Sequence, residues 1–162
     1  MKCPNCKHEM DHNKSVRYHY VESGLDNLFL EDIDIFECTC GESIVRIPAV
    51  DELHRLVGLR IIKKNSPLVG SEIRFLRKNM GMSAIKLAGF MGIDNATVSR
   101  WENGKQKISK SHDHFLRLIY CNMKRINPDR IVNILQDKFP IIQNNHIDIP
   151  PYVIPQEEWS RL

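Results

Sequence analysis

The spacing of apolar residues changes character along this chain. Val16, Tyr18 and Tyr20 alternate with Arg17 and His19, which predicts a strand. Ser23–Asn27 reads as a turn, and Leu28–Leu30, Ile33–Cys38 and Ser43–Ile47 read as further short strands, with Ile33 and Ile35 alternating with acids. Beyond Pro48 the period becomes helical. Leu53, Leu56, Val57, Leu59, Ile61 and Ile62 cover a broad face of a helix starting near Asp51, with His54 as a surface or packing residue. Asn65-Ser66-Pro67 break the chain, after which Ser71 is placed to cap a helix with Ile73, Leu76 and Met80 inward. Arg74, Arg77 and Lys78 fall on its outer side, and Gly81 ends it.

The next stretch, Met82–Gly104, predicts a helix capped by Ser83, a tight turn at Gly92 and a second helix capped by Asp94 or Asn95. Ile85, Leu87, Ala88 and Met91 are spaced for one buried face of the first, and Val98 and Trp101 for the inner face of the second. A helix over His112–Met123 with Phe115, Leu118 and Ile119 inward completes a bundle, and Cys121 reads as an inert buried thiol. Pro128 suits the first turn of a helix to about Lys138, with Ile131, Ile134 and Leu135 on one side. The Pro-rich end, IDIPPYVIPQEEWSRL, reads as extended. Its Tyr152, Val153, Ile154 and Trp159 are apolar enough to dock on the protein's own surface or on a partner.

These elements predict an α+β chain of 162 residues: a small N-terminal antiparallel β domain followed by an all-α bundle. The expected divisions are 1–49 for the β domain, 50–66 for a connector helix, 67–126 for the bundle and 127–162 for a C-terminal helix and extended tail. A β unit of about 50 residues buries little core alone, so its stability calls for a staple.

Charge sharpens this division. The net charge of +3 conceals a basic middle: Arg60–Arg125 holds 14 Lys and Arg against 4 Asp and Glu. Residues 1–59 hold 6 against 11, and residues 126–162 hold 3 against 5. A basic segment coinciding with a helix pair points to a polyanion, namely nucleic acid. Asn95, Thr97, Ser99 and Arg100 lie near the outer face of the second helix, where amide, hydroxyl and guanidinium groups can read base edges in a major groove. Ser83, together with helix N-terminal N–H groups, and Lys105, Lys107 and Lys110 are placed for phosphates.

Four of the five cysteines lie in the first 40 residues, as the pairs Cys3/Cys6 and Cys38/Cys40. With no apolar leader after the start and no run approaching a membrane span, the expected location is cytoplasmic, where thiols stay reduced. Clustered thiols there suggest metal. Cys3 and Cys6 have the two-residue separation from which a tight turn grips one ion, and Gly41 beside Cys40 can take a positive φ. Four thiolates would close a tetrahedral structural Zn2+ site with no open position for catalysis. The second pair is C-x-C rather than C-x2-C, and His8, His12 and His19 are alternative ligands nearby.

The segment IRFLRKNMGMSAIKLAGFMGIDNATVSRWENG resembles the Xre/lambda-repressor-like helix-turn-helix domain, most closely at TVSRWENG. With MKCPNC at the start, CGE near residue 40 and ELHR in the connector, residues 3–123 look like the YgiT/MqsA-type zinc-finger/helix-turn-helix proteins. The resemblance implies a sequence-specific DNA-binding regulator, a repressor acting on double-stranded DNA as a homodimer. It also implies a type II antitoxin whose zinc domain holds a toxin protein; in the alternative form of this reading, toxin neutralisation is primary and DNA binding secondary. Carried over by position, Asn95, Thr97 and Arg100 would read bases, while Ser83, Ser99, Lys105 and Lys107 would meet phosphates. Many relatives carry Gln after the capping Ser, where it grips a phosphate; here the residue is Ala84, which shifts anchoring to Ser83 and the lysines after Gly104. No nucleophile–base arrangement is recognisable, so the chain is expected not to be an enzyme.

Overall fold

The structure, a computed structural model, describes residues 1–15, 17–127 and 151–159. The chain has the expected α+β layout. Five strands come first: β1 (Asp11–Ser15), β2 (Tyr18–His19), β3 (Leu28–Glu31), β4 (Ile33–Glu37) and β5 (Ser43–Arg46). Five helices follow: α1 (Val50–Lys63), α2 (Gly70–Asn79), α3 (Ala84–Met91), α4 (Asn95–Glu102) and α5 (Lys110–Met123). A last strand, β6 (Tyr152–Pro155), closes the described chain.

The strands form two sheets. One is antiparallel, in the order β1-β4-β5, with Asp11 opposite Glu37 and Asp34 opposite Arg46. The other is β2-β3-β6, in which β6 runs parallel to β3. Asp32, at φ 57°, turns the chain between β3 and β4 and sends them to different sheets. Leu28 and Leu30 are buried while Phe29 and Glu31 are half-buried, as the period of two requires. Two strand assignments need correction. β1, DHNKS, carries no apolar residue and so leaves no trace in the hydrophobic pattern. The strand expected over Val16–Tyr20 is only Tyr18–His19, and Val16 lies outside the described residues. The expected helix from Pro128, with Ile131, Ile134 and Leu135, also lies outside them.

The helices depart from their expected faces at informative places. Ser71 is not the cap of α2: the helix starts at Gly70, and the Val69 N–H is taken by Glu72 at 3.0 Å. A side chain at Gly70 would put its Cβ 2.5 Å from the Trp101 carbonyl oxygen, so glycine lets α2 begin against the end of α4. Ile85 is 71% exposed rather than buried, leaving Leu87, Ala88 and Met91 as the inner face of α3. On α5, Phe115 and Leu118 also face solvent, and Leu116, Ile119 and Tyr120 point inward with Asp113 and Arg117. The physical reason is a buried ion pair. Asp113 accepts the Leu68 N–H and Arg117 Nε, both at 2.6 Å. Arg117 in turn donates to the carbonyls of Ile62, Lys64 and Ser66 at 2.8–2.9 Å, satisfying the end of α1. Two charged residues therefore occupy the inner face and rotate the helix from its apolar reading.

The helical core runs without a break into the β2-β3-β6 sheet and the first residue of β4. Leu28, Leu30 and Ile33 join Leu53, Val57 and Ile61, and the tail adds Ile154 and Trp159. The apolar tail thus docks on the protein's own surface. Cys3, Met10 and Cys38 form a separate small cluster with Cys6, Phe36 and Ile44 around the other sheet. Among the described residues, no helix is long and apolar enough to cross a membrane.

Candidate nucleic-acid interface and metal site

α3 and α4 form a tight helix pair with both starts capped. The Ser83 hydroxyl accepts the Lys86 N–H at 3.1 Å, and Gly92 turns the chain at φ 66°. Asp94, not Asn95, caps α4: its carboxylate accepts the Thr97 N–H at 3.0 Å and the Thr97 hydroxyl at 2.8 Å. Those bonds, the hydroxyl's first, hold the Asp94 carboxyl below its ordinary value. Val98 and Trp101 are buried as expected, while Asn95, Ser99 and Arg100 are exposed. Thr97 is half-buried, and its hydroxyl proton is committed to Asp94, so the hydroxyl remains free only as an acceptor.

The base of α4 is held by charges. Arg77, expected to face out, instead turns inward to Glu102: Nη2 donates to the carboxylate at 2.9 Å, and Nη1 donates to the Met82 carbonyl at 2.9 Å. The side chains of Arg77 and Glu102 keep only 13% and 7% of their exposure. Beside them Arg74 donates to the Glu102 carbonyl at 3.2 Å and to Asn103 Oδ1 at 2.8 Å, and Asn103 donates onward to the Ser99 carbonyl at 2.8 Å. Periodicity missed this network because it sees an arginine on an apolar helix as an outer residue. One signal was present: Glu102 is one of only 4 acids between Arg60 and Arg125 and sits beside the inward Trp101. After Gly104, at φ 68°, the Lys105 N–H returns to the Arg100 carbonyl at 2.8 Å, so the exposed Lys105 and Lys107 follow directly from the foot of α4. Ser83 is exposed at the start of α3.

The four N-terminal thiols meet. Cys3 Sγ lies 3.7 Å from Cys40 Sγ, Cys6 Sγ lies 3.3 Å from Cys38 Sγ, and all four sulfurs lie within 4.8 Å of one another. Two turns deliver them. In the first, the Lys7 N–H bonds the Cys3 carbonyl at 3.0 Å, with Lys7 at φ 66°. In the second, Gly41, at φ 91°, bonds the Cys38 carbonyl at 2.9 Å. The C-x-C spacing is therefore no obstacle to bringing both of its sulfurs together. The histidine alternatives are engaged elsewhere. His12 bonds Asp34 at 2.9 Å and stacks on Phe36, while His19 bonds the Asp26 carbonyl at 2.9 Å and stacks on Phe29. Among the described residues the metal-holding group is the four cysteines, without His8.

A tetrahedral metal with bonds of about 2.3 Å to sulfur needs its sulfurs about 3.8 Å apart, within the range seen here. The set can hold a metal ion. The Cys6 N–H, despite burial, draws the Cys3 thiol down to about 7, toward the thiolate a metal binds. The His8 N–H lowers Cys6, but its neighbouring thiols, Cys38 first, outweigh that and raise it to about 12, as expected where close sulfurs cannot all ionise without a cation. Cys121 stands outside the cluster, its thiol pushed up to about 11 by burial.

A family described as helix-turn-helix matches residues 73–112, the stretch from α2 to the start of α5. Over 100 residues the chain is 31% identical to the "Competence pilus inhibition repressor" of Acinetobacter baylyi, covering 58% of this chain and 87% of that relative. The chain belongs to this helix-turn-helix family. Its α3–α4 pair is the motif, and α4 is its second helix. As a helix-turn-helix protein it is a DNA-binding regulator.

Proposed function

We propose that this helix-turn-helix regulator is a sequence-specific transcriptional repressor that reads double-stranded DNA with α4. The observation that carries the reading is the division of α4: Val98, Trp101 and Glu102 are buried, while Asn95, Ser99 and Arg100 face outward beside the exposed Lys105 and Lys107. Asn95, Thr97 and Arg100 contact base edges; Ser83, Ser99, Lys105 and Lys107 contact phosphates and set the register. The repressor name of the Acinetobacter relative supports the same direction of regulation. Two copies in a homodimer would present α4 to half-sites about one DNA turn apart.

The four cysteines hold a structural Zn2+ that stabilises the β1-β4-β5 sheet within the N-terminal β domain, residues 1–49, as in the YgiT/MqsA type. The protein works in the cytoplasm, without enzymatic activity. Residues 50–66 connect to the DNA-binding unit, 67–126, and the remainder, 127–162, forms the C-terminal part. The excess of acids in residues 1–59, 11 against 6 Lys and Arg, favours a second reading for that end: a toxin-holding surface of a type II antitoxin.

Arg100→Ala tests the main reading. It should weaken binding to the specific operator by about 1–3 kcal/mol, relax selectivity at one base pair and leave thermal unfolding unchanged. Equal operator affinity for the variant in a titration at fixed salt would remove Arg100 from base reading. Co-purification of a basic partner protein from the native host would support the toxin-holding surface.

A further inference from the structure

The tail joins the fold through contacts that DNA recognition does not use. β6 pairs with β3 in parallel, from Leu28 opposite Tyr152 to Glu31 opposite Pro155. A parallel pair has no tight turn to hold it, and β6 reaches β3 from α5 only through residues 128–150. Among the described residues, contacts of three kinds hold the pairing. Ile154 and Trp159 are fully buried against the core that contains Leu28 and Leu30. The backbone is captured: the Tyr152 N–H donates to the Asn27 carbonyl at 2.7 Å, and Arg60 Nη1 of α1 donates to the Val153 carbonyl at 3.1 Å. Polar ends are fixed: Trp159 Nε1 donates to the Pro48 carbonyl at 2.8 Å, the Tyr152 hydroxyl donates to Glu72 of α2 at 3.0 Å, and Arg60 pairs with Glu158.

The receiving residues come from the sheet, from the joint before α1, from α1 and from α2. Backbone bonds that take any extended segment, joined to pockets that select alternate side chains, are the means by which a sheet edge captures a peptide. Pro155, which has no N–H to offer, closes the strand at its end.

We propose that the cleft between β3 and α1 is a binding groove for an extended peptide. Its occupant is this chain's own segment 151–159, held exchangeably, and that occupancy ties the sheet end of the molecule to α2 of the helix-turn-helix. The inference stands independently of what α4 binds.

A protease site placed within residues 128–150 of the full chain allows the tail to be cut from its connection without being removed. Before cutting, the melting temperature should equal the parent's. After cutting, native mass spectrometry should find the tail fragment retained one to one at micromolar protein. Excess labelled peptide PYVIPQEEW should replace it, and the same peptide with Trp159→Ala should compete at least tenfold less well. Arg60→Gln in the receiving chain should weaken capture several-fold. Loss of the fragment on cutting, collapse of the fold on cutting, a fragment that never exchanges, or equal competition by the substituted peptide would each overturn the proposal.

Discussion

Glu102 is the residue on which the recognition helix turns from periphery to core. Its carboxylate receives Arg77 while its backbone receives Arg74, so one residue anchors the foot of α4 to α2 twice. Removing one partner of a largely buried ion pair strands the other, which costs about 3–5 kcal/mol when burial is complete. Arg77 retains slight exposure and Arg74 more, so Glu102→Gln should cost about 2–3 kcal/mol, read as a fall in the denaturation midpoint at unchanged slope. Unchanged stability would mean that the Arg74 and Asn103 bonds hold α4 by themselves. Val98 and Trp101 were legible in the sequence because burial of apolar groups follows helical spacing. Arg77 was not, because its position is decided by a carboxylate 25 residues away.

At the scale of elements, the close approaches are made by glycine and the joints by aromatic hydroxyls. The Tyr120 hydroxyl on α5 occupies the space where a Gly58 side chain on α1 would begin, 1.9 Å from that Cβ position, and donates to Asn79 at the end of α2 at 2.7 Å. Gly58→Ala should therefore push α5 from α1 and break the Asn79 bond, costing about 1–3 kcal/mol as overpacking does. A melting temperature equal to the parent's would show that Tyr120 moves freely. α1 also meets the turn after β2, and α2, through His54, whose ring bonds the Tyr20 hydroxyl at 3.0 Å and meets Phe75 edge-on. Burial lowers its pKa, with Asp51 opposing and Lys124 assisting. The unfolded chain then binds a proton that the folded chain resists, so this contribution is complete above the ordinary histidine value of about 6.5 and is lost as pH falls toward the lower folded value. His54→Gln should flatten the decline of melting temperature below pH about 6.5, and His114, also lowered by burial, should contribute to the slope that remains, joined at lower pH by Asp94.

The helix-turn-helix, with its caps and turns, was readable because each part is specified within a few residues. Ser83, Gly92 and Gly104 behave as their local chemistry dictates. The inner face of α5 was misread because Asp113 and Arg117 answer carbonyls at the end of α1 rather than neighbours on their own helix. The parallel pairing of β6 with β3 was unreadable for the same reason at a larger span. The apolar tail announced that it docks, but nothing local names its partner strand.

For the whole molecule, the two apolar clusters predict two responses. Stripping metal with a chelator should leave the helices and the β2-β3-β6 sheet folded, because their common core contains none of Cys3, Cys6, Cys38 and Cys40. The β1-β4-β5 sheet, whose own cluster is built on Cys3, Met10 and Cys38, should lose amide protection at residues 35–37, beyond the Ile33 that packs in the helical core. Hydrogen exchange measured with and without chelator separates the cases; simultaneous loss over α2–α5 would show a single cooperative unit.

The bond from Trp159 to Pro48 spans 111 positions of sequence, which has a consequence for the order of assembly. Loop-closure entropy must be met before so distant a contact is rewarded, so the local helix pair can form well ahead of it. During synthesis β3 is made long before β6 exists, and in that interval it presents an open edge beside a core that still lacks Ile154 and Trp159. An open edge is a template for any extended chain. The nascent protein thus passes through a stage in which it is most receptive to chaperones, to misassembly with a sister chain, and to any partner that arrives before its own last strand.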